Sequence, residues 1–298
     1  ALPLGFTVAR GRWGALATAV TAMASLLVAV LSEPATWSPY SRITVEEWVE
    51  QGETEMKGYE LSVNRAYHMT IVDLHNPPTT DGWYQRAALH YNLPYRFSTP
   101  QRVLVLGSGG GNDVAAAVRH GALQIAAVEI DPVIVRAGRN LHPERPYHVP
   151  QVSIHVDDAR SFLERSDQFY DLIALGLLDS HTLLAGLPGV RLDNYVYTVE
   201  AMHAARRRLS PNGILCLSFA ALGDRPWLAD KLYRMIEIAF DEPPLAYWWL
   251  SRCSPPAFWR PLPAVRTPTS PFSGRVSYSS RRKGSPTSVC SSEAPGGP

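Results

Sequence analysis

The chain has 298 residues, is 46% hydrophobic and 18% charged, and carries a formal net charge of +1. That length holds one sizeable domain plus extensions, and the near-neutral charge argues against a nucleic-acid partner. Three cysteines, Cys216, Cys253 and Cys290, show no paired spacing, which argues against a metal site or disulfide framework and points to a reducing compartment. The first residue is Ala1 rather than methionine, as expected of a piece of a longer product.

Residues 13–32 carry no charge and are mostly Ala, Leu and Val, about the length that crosses a bilayer. We read 1–36 as a membrane anchor segment with one transmembrane helix. A cleaved signal would have a shorter apolar core. A buried helix is the alternative, because Thr18, Thr21 and Ser25 dilute the apolarity.

Residues 37–100 read as an N-terminal β region and a linking helix. Residues 41–45 and 59–63 alternate, Asn64 and Arg65 can turn, and 67–72 return, which predicts a small β-hairpin region. Pro77 and Pro78 break the chain, and 83–92 form a helix.

Residues 101–250 carry the main domain. An apolar run, 102–106, ends at a glycine cluster, Gly107, Gly109, Gly110 and Gly111. A helix at 114–120 follows, and a second apolar run, 125–130, contains Glu129 and leads to Asp131. This is a strand, a nucleotide-binding turn, a helix and a strand. Glycine accepts positive φ and lets backbone N–H groups approach a ligand. Glu129 lies about 20 residues past the turn, where an acid can accept from a ribose diol. Pro132 can open a helix over 133–141. Further strands are expected at 152–156, 170–175 and 214–218, with helices at 160–165, 197–209 and 227–240. Pro211, Asn212 and Gly213 are expected to stop the helix at 197–209.

This rhythm predicts an α/β fold with a doubly wound, mainly parallel sheet. Ligands in such sheets bind at the carboxyl ends of the strands, where Gly107, Glu129, Asp158 and Asp179 fall. Residues 245–250 offer a further strand. From about 251 to 298, Pro, Ser and Arg dominate and a disordered tail is expected.

Residues from about 37 to 240 resemble the spermidine synthase (polyamine aminopropyltransferase) family, which has a class I S-adenosylmethionine-dependent methyltransferase fold. The likeness rests on 61–68, Tyr84 with Gln85, the turn at 107–111, Glu129 with Ile130 and Asp131, and Asp157 with Asp158 and Ala159. The membrane segment before Ser38, Pro39 and Tyr40 looks like the bacterial membrane-fused branch. The resemblance implies that the donor site includes Gly107, Gly109, Gly111, Glu129 and Ile130, with Glu129 on the ribose hydroxyls. It further implies that Asp158 accepts from the adenine amine beside the Ala159 N–H, and that His68 stands where a glutamine touches the donor. Tyr84, Gln85 and Tyr197 become candidates for the acceptor pocket. For each aromatic or histidine, a packed core side chain is the competing reading.

Two departures bear on the reaction. The family's glycine turn carries an aspartate where this chain has Gly110, with Asp113 three positions later. Its active-site strand ends in an aspartate where this chain has Gly176, and the second acid of that motif survives as Asp179. Asp179 is the candidate catalytic or acceptor-binding acid; capping the following segment is the alternative. The resemblance implies a transferase that binds S-adenosylmethionine or its decarboxylated form and passes an aminopropyl group to a polyamine-like acceptor, without a metal. Methyl transfer, or a non-catalytic nucleoside-binding module, stays open because of Gly176. A homo-oligomer is also open. The positive-inside rule applied to Arg10 and Arg12 would send the domain outside. The cytosolic donor favours the reverse, so the domain is expected to be membrane-anchored and to face the cytoplasm.

Overall fold

The structure is a computed structural model that describes residues 12–31, 35–49, 56–75, 82–176, 195–218 and 226–246. The expected strand at 245–250, the tail and Asp179 lie outside these residues, apart from 245 and 246, which are irregular.

The first helix, α1 (Arg12–Leu31), forms where an apolar helix was expected. Its apolar side chains Leu16, Val20, Met23, Leu26 and Leu27 are exposed. The expected transmembrane helix is nevertheless not supported: among the described residues no helix is long and apolar enough to cross a membrane. Thr18, Thr21 and Ser25 dilute its apolar run, and the Thr21 hydroxyl donates back to the Ala17 carbonyl at 2.9 Å.

The N-terminal β region is larger than a hairpin. Strands β1 (Thr36–Trp37), β2 (Arg42–Val49), β3 (Met56–Val63) and β4 (Ala66–Val72) form an antiparallel sheet in chain order. Asn64 and Arg65, both with positive φ, make the tight turn between β3 and β4. The pairing shifts register so that Leu61 faces Met69 and Ser62 faces Tyr67, which leaves His68 as the extra residue of a bulge. Helix α2 (Gly82–Asn92) follows.

The main sheet is parallel, with the order β7-β6-β5-β8-β9. Its strands are β5 (Arg102–Leu106), β6 (Gln124–Glu129), β7 (Val152–Val156), β8 (Tyr170–Leu175) and β9 (Leu209–Leu217). The intervening helices are α3 (Asn112–Arg119), α4 (Pro132–Leu141), α5 (Ala159–Arg165) and α6 (Val199–Arg207), and α7 (Pro226–Phe240) follows β9. The chain starts at β5, winds outward through β6 and β7, then returns to lay β8 on the other side of β5. The direction of winding therefore reverses between β5 and β8, the position where such sheets open a ligand crevice.

The core explains the apolar runs. In β5, Leu104 and Leu106 face one cluster with Ile173, Leu175 and Met202, while Val103 and Val105 face another with Leu172 and Val114. A strand buried on both faces reads as a continuous apolar run. Local capping fixes the helix starts. Asp131 Oδ1 accepts from the Val133 N–H at 2.8 Å, and Thr198 Oγ1 from the Ala201 N–H at 3.1 Å. The N-terminal sheet docks through Ile43 and Leu61 against Val133 and Ile134 of α4. The Ser38 hydroxyl donates to Asp131 Oδ2 at 2.6 Å across the same junction.

One expectation fails at the end of α6. Pro211, Asn212 and Gly213 do not follow a helix; they lie inside β9. The helix ends at Arg207, and β9 pairs with β8 first at Leu209 and again from Ile214. The residues between form a bulge on an edge strand, where a proline costs no ladder bond. Gly213 permits the approach, since a Cβ there would stand 2.7 Å from the Tyr170 carbonyl.

Candidate active site

The glycine turn joins β5 to α3. Gly107, Gly109 and Gly111 have φ of 69°, 54° and 105°, in the left-handed region that a side chain disfavours. The turn is braced from outside. The Tyr147 hydroxyl lies 2.9 Å from Ser108 Oγ and 2.8 Å from the Gly109 carbonyl. Asn112, the first residue of α3, donates to the Thr70 carbonyl at 2.8 Å and to the Tyr91 hydroxyl at 3.1 Å. Its Oδ1 accepts from His142 Nε2 at 3.2 Å. His142 Nδ1 accepts from the Glu144 N–H at 3.1 Å, so the proton of the neutral ring sits on Nε2. Burial holds the His142 pKa down at about 3.

Glu129 closes β6 beside this turn and is 7% exposed. Its Oε2 accepts from the Gly109 N–H at 2.9 Å and its Oε1 from the Asp131 N–H at 3.0 Å. Burial pushes its pKa up, while these backbone donors pull it down. The Ile130 N–H is also drawn to the carboxylate, which leaves at least one lone pair of its two oxygens open to a ligand hydroxyl. Ile130, next in sequence, is half-buried.

At the end of β7, Asp158 caps α5 through Oδ1, which accepts from the Ser161 N–H at 2.8 Å. Ala159 is buried as the first residue of α5. Asp157 pairs with Arg165 and accepts from the Asp158 N–H. The strand-end acids thus hold local structure, and Asp158 keeps lone pairs for a further donor.

The predicted acceptor residues are more dispersed. Tyr84 is 3% exposed and packs with Trp83 and Trp48, at ring separations of 5.2 and 5.8 Å. Gln85 is exposed and Tyr197 is half-buried against the main core. On β4 it is Met69, next to His68, that meets the glycine turn. The Gly110 N–H points at Met69 Sδ across 3.0 Å. Met69 and Tyr147 were not legible as site residues, because each reaches the turn from an element distant in sequence, and Asn112, which directly follows the turn, was not legible because its partners Thr70, Tyr91 and His142 are distant.

The two glycines where the resemblance leads to the expectation of an acid, Gly110 and Gly176, differ in surroundings. A Cβ on Gly110 would meet Ile71 Cγ1 at 2.5 Å and Met69 Cε at 3.3 Å, so β4 fills that space. A Cβ on Gly176 would instead meet Asp113 Oδ2 at 3.0 Å and the Gly107 carbonyl at 3.1 Å. Asp113 lies in the first turn of α3, retains partial solvent access, and has its pKa pushed up to about 7 by burial.

The parallel sheet with its winding reversal, the glycine turn and the strand-end acid define the class I methyltransferase-like fold. Within that class the chain belongs to the spermine/spermidine synthase family: the model of the spermine/spermidine synthase domain matches residues 83–241. A polyamine aminopropyltransferase of Korarchaeum cryptofilum is 23% identical over 195 residues, 64% of this chain and 56% of that protein. Polyamine aminopropyltransferase 2 of Hyperthermus butylicus is 27% identical over 183 residues, 60% of this chain and 54% of that protein. The chain thus spans about half the length of these curated relatives. The crystal structure of spermidine synthase from Thermotoga maritima superimposes with a TM-score of 0.55 at 16% identity, covering 72% of this chain and 66% of that one.

Proposed function

We propose that the chain is a transferase domain that binds decarboxylated S-adenosylmethionine and passes its aminopropyl group to an aliphatic amine. The observation that carries this reading is the placement of the buried Glu129 carboxylate 2.9 Å from the Gly109 N–H. It supports a diol-binding role for a carboxylate that stands beside a backbone turn at the carboxyl end of the sheet. Membership of the family and the aminopropyltransferase relatives support the choice of transferred group.

In this reading Glu129 orients the ribose, and the Ala159 N–H with Asp158 faces the adenine. The decarboxylated donor supplies an electrophilic carbon next to its sulfonium. The protein's task is then positioning and removal of a proton from the amine, because a protonated amine has no lone pair to attack with. The domain works in the cytoplasm, where the donor is available.

The test is calorimetric titration of the chain with S-adenosylmethionine, its decarboxylated form and methylthioadenosine. Tightest binding of the decarboxylated donor is expected. Preference for S-adenosylmethionine would replace aminopropyl by methyl transfer, and failure of all three to bind would remove the nucleoside site.

A further inference from the structure

Gly176 and Gly107 end the two adjacent strands, β8 and β5, between which the winding of the sheet reverses. That crevice is where a ligand belongs. The Asp113 carboxylate stands in it. Its Oδ2 lies 3.0 Å from the Cβ position of Gly176, in the space that a side chain at 176 would enter. It forms no hydrogen bond or ion pair among the described residues, and the protein closes around it while leaving a route to solvent. The titratable groups that feel its charge are Tyr91 of α2, Tyr95, Tyr147 and Cys216 of β9, all of them acids pushed up by it and by burial. A helix start alone would favour an acid here. It would not require the carboxylate to be half-buried with no counter-charge among the described residues, an arrangement that costs stability unless a cation arrives.

We propose that Asp113 supplies, from α3, the carboxylate that Gly176 lacks, and that it holds and deprotonates the attacking ammonium of an aliphatic amine acceptor. The inference rests on the transferase reading above. In the step, the ammonium proton passes to Asp113. The freed nitrogen lone pair bonds to the donor carbon next to sulfur, and the carbon–sulfur bond breaks with its electron pair going to sulfur. The donor leaves as a neutral thioether, and Asp113 returns the proton to solvent. Position 110 cannot share this work, because Ile71 and Met69 occupy its side-chain space.

The experiment uses the full chain saturated with methylthioadenosine and titrated calorimetrically with 1,4-diaminobutane, against the neutral 1,4-butanediol. Wild type should favour the diamine by roughly tenfold or more, as expected for a charge-assisted contact in a partly desolvated site. That preference should weaken as pH falls through about 7, where Asp113 takes up a proton. Asp113→Asn should erase the preference and leave methylthioadenosine affinity unchanged. The double variant Asp113→Ala with Gly176→Asp should restore part of it, by returning a carboxylate to the same space from the other strand. Retention of the preference in Asp113→Asn, or its absence in wild type, overturns the proposal. If methylthioadenosine does not bind at all, the transferase reading fails, and the diamine titration of the bare protein still decides whether Asp113 is an ammonium site.

Discussion

Asp113 Oδ2 lies 3.0 Å from the position that a Cβ of Gly176 would take, although the two residues come from the first turn of α3 and the end of β8. What reads along the sequence as a missing acid is, in space, an acid delivered by a neighbouring element. The carboxylate and the glycine share one volume, so each constrains what the other can be.

The pH profile of transfer follows from this pair. Burial raises the Asp113 pKa to about 7, so the ionised form needed as a base accumulates as pH rises through that value. The rate of aminopropyl transfer to a diamine should climb through about pH 7 and then level. Asp113→Asn should lower kcat by roughly 10²–10⁴ and remove that limb, as expected for loss of a positioned base. A variant with the wild-type profile would place the base elsewhere.

Glu129→Gln should lower affinity for methylthioadenosine and destabilise the fold together. The substitution offers an amide N–H to one of two backbone donors, Gly109 or Asp131, now 2.9 and 3.0 Å from carboxylate oxygens. A buried donor left without an acceptor costs about 1–3 kcal/mol. Calorimetry and urea unfolding measure the two effects, and unchanged affinity with intact folding would remove Glu129 from the nucleoside site.

Gly110→Asp should not build a second amine site. Its Cβ would run into Ile71 Cγ1 at 2.5 Å, and the expected result is a loss of about 1–3 kcal/mol of stability from overpacking. Pairing it with Ile71→Ala should recover most of that loss. If Gly110→Asp alone keeps wild-type stability in urea unfolding, β4 yields more readily than its packing implies.

His142 should make the fold weaken in mild acid. Its pKa is held at about 3 in the folded chain against 6.5 when exposed. Between those values the unfolded chain binds the proton and the folded chain does not, so stability falls as pH drops from about 6.5 toward 3. The slope for one proton is at most about 1.4 kcal/mol per pH unit. Asp113 acts with the opposite sign, since its raised pKa gives stability that is lost as pH rises through about 7. The contribution of His142 is therefore read as the difference between wild type and His142→Gln across pH 4–6.5. Parallel curves would mean that the ring is not kept neutral by the fold.

Much of the fold was legible because it is written in local patterns. The strands at 102–106 and 170–175 came out where apolar runs put them, since central parallel strands bury both faces, and the edge strand at 152–156 came out where Val152, Ile154 and Val156 alternate with Ser153 and His155. Gly107, Gly109 and Gly111 have the positive φ their spacing predicted, and Glu129 ends its strand beside them. The misread stretch, 209–213, is one where proline, asparagine and glycine look like a helix stop but serve a bulge on an edge strand. Local composition cannot distinguish those two uses.

The sequence by itself thus determined the parallel sheet, the glycine turn and the strand-end acid, because periodicity and glycine chemistry act within a few residues. Only the tertiary structure decided what stands around the turn. The Tyr147 hydroxyl beside Ser108, the Met69 sulfur against the Gly110 N–H and the Asp113 carboxylate over Gly176 are contacts between elements that no spacing rule links. They arise where the sheet reverses its winding and packed helices bring distant side chains into one volume.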